Sequence, residues 1–96
     1  MIATLTALTE YQETLMARDN ESPIRILVKA FTEWHKDSSI DVRQLHARMG
    51  KIWIDCYRDH YFVLQAIWDT RDSVVSGSRL NYLAATLSKR LRGNNG

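Results

Sequence analysis

Ninety-six residues contain one proline and four glycines, and this scarcity of backbone punctuation constrains the fold more than any other feature. An all-β domain needs turn residues roughly every 8–12 positions. Pro23, Gly50, Gly77, Gly93 and Gly96 cannot supply them. Long stretches free of breakers and rich in Leu, Ala, Arg, Lys and Gln favour helices, because these side chains lose little freedom there. The chain reads as all-α. Only 52–63, dense in aromatic and β-branched residues, leaves a short β-hairpin open as an alternative.

Size limits the rest. A chain this short buries about 60–65% of the surface its unfolded form exposes, enough for one core and not two. Its apolar runs fall far below the ~20 residues of a membrane-spanning helix, so no membrane is expected as a partner. The opening MIATLTALTEYQE has no basic start and reaches acidic residues quickly, which predicts no cleaved leader. Cys56 is the one cysteine, so no internal disulfide can staple the fold, and a cytoplasmic setting is expected.

Five short helices can be placed from periodicity and caps, as a single compact bundle over 1–92 with a flexible polar tail at 93–96. Leu5, Leu8, Leu15 and Met16 suggest the first, from Thr4 or Thr6 to Arg18. Ser22-Pro23 marks a start, since Ser can cap free N–H groups and Pro lacks one. Ile24, Leu27, Val28, Phe31 and Trp34 then follow at helical spacing. Ser38 and Asp41 resemble a weak capping box for a third helix, whose stripe is Val42, Leu45, Met49, Ile52, Trp53 and Cys56. Gly50 inside it suggests a close helix contact. A corner at 57–60 precedes a fourth helix carrying Phe62, Val63, Leu64, Ile67 and Trp68 inward and ending near Asp72. After a link at 73–78, Leu80, Leu83, Ala84, Leu87 and Leu91 recur as one stripe of a last helix.

Net charge is +2, yet the residues from Ser73 onward carry Arg79, Lys89, Arg90 and Arg92 and no acid, leaving −2 on the first 72. A helical wheel gathers Arg79, Tyr82, Thr86 and Arg90 in one strip, with Lys89 beside it. Cations in a row on a rigid element are what phosphate binding needs, each replacing a condensed counterion. Tyr82 can stack on an unpaired base. The same strip suits an acidic protein, and basic helix ends also arise from the macrodipole alone.

Catalytic and metal constellations are not apparent. His35, His46 and His60 form no HExxH, no CxxC accompanies them, and neither GxGxxG nor GxxxxGK[ST] occurs. Cys56 lies on an apolar stripe, where a buried thiol is the expected role rather than a nucleophile. Asp55 and Asp59 are i and i+4, but Lys51 and Arg58 nearby favour salt bridging over Mg²⁺. No enzyme, metal or cofactor is therefore expected. Trp53, Tyr57, Tyr61, Phe62 and Trp68, preceded by Phe31 and Trp34, supply an aromatic core. Trp34 and Tyr57 are the candidates for a surface that anchors a partner.

One resemblance adds to this reading. The segment from Ile24 to Arg92 resembles the C-terminal domain of DnaD-like primosomal proteins, a family that includes phage helicase loaders. Leu64-Gln65-Ala66-Ile67-Trp68 is similar to the alanine-centred helix end of that family. Leu80-Asn81-Tyr82-Leu83-Ala84-Ala85-Thr86-Leu87 is similar to its Y-[IL]-x-x-[IL]-L-x-x-W motif, matching at Tyr82, Leu83 and Leu87. Thr86 stands where the family has an aliphatic residue and Arg90 where it has Trp; the break before the motif is longer. The resemblance implies binding of single-stranded DNA and of a replicative helicase, with Tyr82, Lys89, Arg90 and Arg92 near the DNA. The expected function is a non-enzymatic nucleic-acid-binding module within a larger protein complex, with a second copy of this chain as a further expected partner. The alternative is a protein–protein adaptor or inhibitor, like small helical CRISPR-effector subunits or phage-encoded inhibitors.

Overall fold

The computed structural model describes residues 2–17, 22–37 and 40–94, with side chains over 7–17, 22–37 and 40–93. Five helices follow in order: α1 (Ile2–Ala17), α2 (Pro23–His35), α3 (Val42–Asp55), α4 (His60–Asp69) and α5 (Arg79–Asn94). The expected all-α architecture is what forms. Residues 52–63 turn a helical corner, not a hairpin.

α2 is the central element, packing against α1, α3 and α4. It starts as its Ser-Pro signal predicts: Ser22 Oγ accepts from the Ile24 N–H at 3.3 Å, and Pro23 fills the first turn. Its inner face buries Ile26, Leu27, Val28, Ala30 and Phe31. Leu45, Met49 and Ile52 from α3, Val63, Leu64 and Ile67 from α4, and Leu80, Leu83 and Leu87 from α5 complete the core, with Leu15 from α1. Each such side chain contributes about 1.5–3 kcal/mol by leaving water. In α5, the three leucines seat the helix on the rest of the fold.

Several boundaries differ from the sequence expectation. α3 begins at Val42 with Asp41 as its N-cap, and the Asp41 side chain makes no capping bond. Asp41 is thus the cap residue itself and not the third position of a capping box; Ser38 lies outside the described residues. Val42, counted in the apolar stripe, is 63% exposed, because the first turn of α3 projects beyond the core. α4 ends at Asp69, three residues before Asp72, because Thr70 turns its hydroxyl back onto the Ala66 carbonyl at 2.7 Å. α5 runs through Gly93 to Asn94, so the tail's first half is helical. A methyl group built at Gly50 would meet Ile24 Cδ1 at 3.4 Å, an ordinary contact, so packing does not demand glycine there.

The α3–α4 corner is closed by backbone in an unusual way. The Arg58 N–H donates to the Trp53 carbonyl at 2.8 Å and the Tyr57 N–H to the Ile54 carbonyl at 3.0 Å. These are the two bonds of a Schellman motif, with Tyr57 at the left-handed position glycine usually holds. Tyr57 has φ 59° and Arg58 φ 60°, so two consecutive side-chain-bearing residues adopt it. Asp59 then caps α4, its Oδ1 accepting from the Phe62 N–H at 3.1 Å. Tyr57→Gly is expected to raise the unfolding free energy by about 1 kcal/mol, since the left-handed strain disappears and an 82% exposed ring takes no packing with it. Urea titration reads this; a destabilised variant would show that the Tyr57 ring supports the corner.

Candidate nucleic-acid interface

The basic residues of α5 separate into two groups by geometry. Ser78 opens the helix, its Oγ accepting from the Asn81 N–H at 3.2 Å. With Leu80, Leu83 and Leu87 turned inward, Tyr82, Lys89 and Arg92 face outward. Lys89 and Arg92 are exposed and make no ion pair among the described residues. Tyr82 is 39% exposed on the same side. Thr86 lies beside them, its hydroxyl donating to the Tyr82 carbonyl at 2.9 Å, which occupies its one donor.

Arg79 and Arg90 lie at the edge of the leucine stripe and turn toward α4. Arg90 pairs with Asp69 at 3.0 Å, a bond exposed enough on both sides for exchange with another anion. Arg79 is committed elsewhere. Its Nε–H donates to His35 Nδ1 at 2.9 Å, Nη1 to the Ser73 carbonyl at 2.8 Å, and Nη2 to the carbonyls of Thr70 and Arg71 at 3.0 Å each. Four of the five N–H donors of a guanidinium are thereby used inside the protein. The expected strip of Arg79, Tyr82, Thr86 and Arg90 is therefore replaced by a face of Tyr82, Lys89 and Arg92, with Arg90 at its margin.

α3 adds a cation that sequence reasoning missed. Arg48 Nη2 donates to Asn81 Oδ1 at 2.6 Å, so its charge lies beside α5 while its partner is neutral. Farther along, Ile52, Asp55 and Cys56 share a shallow cleft of roughly 120 Å³ with Leu87, Ser88 and Leu91. The start of α5 thus lies toward Arg48, and its later turns lie toward the end of α3. No spacing rule relates Arg48 to Asn81; only the folded topology brings them together.

The remaining candidates resolve individually. Lys51 and Asp55 pair at 3.1 Å, and Asp59 serves as a cap, so each aspartate is engaged within the protein. Cys56 is buried, and burial first, then the nearby Asp55 and Asp59 charges, push its thiol up to about 11. At neutral pH it stays protonated and unreactive. Trp34 is only partly buried and packs against the core. Its ring sits edge-on between Tyr11, at 5.1 Å, and Trp68, at 4.9 Å, and its indole nitrogen is buried. Arg71 closes this ladder, its guanidinium carbon 3.7 Å from the Trp68 ring centre. Tyr57 does stand at the surface, near exposed Ile54 and Tyr61. A second cleft of roughly 170 Å³ between α1 and α2 is lined by Glu10, Tyr11, Thr14 and Glu33. There the Tyr11 hydroxyl donates to Glu33, and burial, followed by that carboxylate, raises the phenol above its ordinary range.

Among the described residues, no three His, Cys, Asp or Glu side chains are grouped to hold a metal ion. None of the described helices is long and apolar enough to cross a membrane. No family model, curated protein or solved structure matches this chain.

Proposed function

We propose that this chain is a non-enzymatic helical module that binds single-stranded nucleic acid, DNA first, through the outer face of α5. It would do so within a larger nucleoprotein assembly such as a helicase-loading complex. The observation that carries this reading is the exposed set of Tyr82, Lys89 and Arg92 on a helix that has no acidic residue. Lys89 and Arg92 would neutralise phosphates, Arg48 would add a third charge from α3, and Tyr82 would stack on a base. Arg90 would join by exchanging Asp69 for phosphate. The resemblance to DnaD-like C-terminal domains supports the same four α5 residues near DNA. It gives no role to Arg79.

Binding to a fluorescein-labelled oligothymidylate, followed by anisotropy at low salt, tests the proposal. Complex formation is expected, and Tyr82→Ala should weaken it about tenfold through lost stacking. Absence of binding at low salt, where phosphate contacts are strongest, would overturn it.

A second reading rests on a separate surface. Ile54, Tyr57 and Tyr61 are exposed around the strained α3–α4 corner, with Arg58 lying over Trp53 at 5.7 Å. Aromatic and Arg side chains of this kind anchor protein interfaces, and strain retained at the surface suits a contact. On this reading the chain is an adaptor or inhibitor. Tyr57→Ala would then abolish co-purification of a partner while leaving oligonucleotide binding intact; the α5 reading alone predicts no effect on either.

A further inference from the structure

We propose that His35 and Arg79 form an acid-released latch that holds the α4–α5 link and the start of α5 against the core. The inference is independent of what α5 binds. Its basis is the hydrogen-bond geometry around one buried imidazole. His35 is 7% exposed at the end of α2 and stacks on Phe31 with ring centres 4.5 Å apart. Because Arg79 Nε–H points at Nδ1, that nitrogen must carry the lone pair, and the ring proton sits on Nε2. There it donates to the Ile67 carbonyl at 3.0 Å, with Thr70 Oγ1 at 3.2 Å. Both ring nitrogens are therefore engaged in one tautomer only.

A second proton has a single place to go, Nδ1, where an N–H would oppose an N–H and two positive charges would face each other. Arg79 must then withdraw. The same guanidinium holds the carbonyls of Thr70, Arg71 and Ser73, so withdrawal removes the side-chain anchor of the link in one step. The groups facing His35 divide unequally. From α5 it meets the Arg79 charge, from α4 the neutral Ile67 carbonyl and Thr70 hydroxyl, and from its own end of α2 the more distant attraction of Asp37. Burial, and then Arg79, hold the imidazolium form below its ordinary value near 6.5, while the Ile67 bond and Asp37 oppose them.

The direction of the pH effect follows. The latched form binds the proton more weakly than the released form, so acid populates the released form. Above the ordinary histidine value of about 6.5 the latch is fully closed. Below it, each pH unit raises the released population by up to about tenfold, until the latched form itself titrates.

NMR of the whole chain provides the test. Long-range ¹H–¹⁵N spectra should show His35 as the Nε2–H tautomer at pH 7.5, with a midpoint below that of an ordinary histidine. Amide hydrogen exchange, corrected for its intrinsic pH dependence, should lose protection at Thr70, Arg71, Ser73, Asn81 and Tyr82, whose N–H groups are bonded in the latched form, between pH 6.5 and 5. Protection at Leu27 and Ala30 in α2 should persist. His35→Gln, which keeps one donor and one acceptor but cannot charge, should flatten the response, whereas His46→Gln and His60→Gln should not. An Nδ1–H tautomer, an unchanged link while His35 protonates, or a uniform loss of protection across all helices would each overturn the latch. The wild-type measurements decide the matter even if His35→Gln fails to fold.

Discussion

Replacing Arg79 with methionine is expected to lower the unfolding free energy by about 3 kcal/mol, among the largest effects of any substitution outside the leucine and phenylalanine core. Methionine preserves much of the stem's volume but none of the donors. His35 Nδ1 loses its partner in a buried site, and the carbonyls of Thr70, Arg71 and Ser73 lose theirs. Hydrogen bonds from a charged donor contribute about 1.5–3 kcal/mol each, but four around one partly exposed side chain do not add, and the freed carbonyls can reach water. Arg79→Lys should recover little, since an ammonium cannot reproduce the planar fork that spans three carbonyls and a ring nitrogen. Urea unfolding monitored by tryptophan fluorescence gives the number. A loss under about 1 kcal/mol would show that the link is held by its own turns.

Phe31→Ala should cost about 3–5 kcal/mol, enough to leave a domain of ordinary stability partly unfolded at 25 °C. Phe31 is fully buried in α2, the helix that touches α1, α3 and α4, and its ring is the floor on which His35 stacks. Removing it opens a cavity among elements that cannot all close in together, and it frees the imidazole to leave the geometry that Arg79 requires. The loss should therefore appear both in the denaturation midpoint and as a His35 titration shifted toward the ordinary histidine value. A small loss with unchanged titration would mean that neighbouring side chains refill the space.

The contrast between Phe31 and Arg79 shows what could be read from sequence. Phe31 lies on a periodic stripe behind a Ser-Pro start, and both signals are local. Leu80, Leu83 and Leu87 were legible for the same reason. Arg79 follows no such rule: its role depends on His35, 44 residues away, and on carbonyls whose direction exists only once the link is folded. A wheel gives an angle on the helix axis, and at the margin of a stripe that angle does not distinguish water from a neighbour. This is why the wheel does not separate Arg79, which is held by internal acceptors, from the more exposed Arg90. For Trp34, aromatic content says nothing about which ring meets Tyr11 and Trp68 edge-on. Tyr57 was placed correctly at the surface, although its left-handed backbone carries no signature in a residue type that normally avoids it.

On the proposed reading α5 presents Lys89 and Arg92 from its last turns, and α3 presents Arg48 next to Asn81 near the start of α5, to a phosphate backbone. The salt dependence of binding counts those contacts. For single strands, log K falls with log salt at a slope of about −0.7 per neutralised phosphate, so Lys89, Arg92 and Arg48 predict about −2, and Arg90, once it exchanges Asp69 for phosphate, extends this to about −2.8. The double variant Lys89→Gln, Arg92→Gln should remove about 1.4 from that slope and weaken binding most at low salt. Arg79→Met, measured under conditions where it is folded, should leave the slope unchanged, because its charge faces inward. A slope that is the same in wild type and the double variant, or that drops with Arg79→Met, would contradict the assignment of this face.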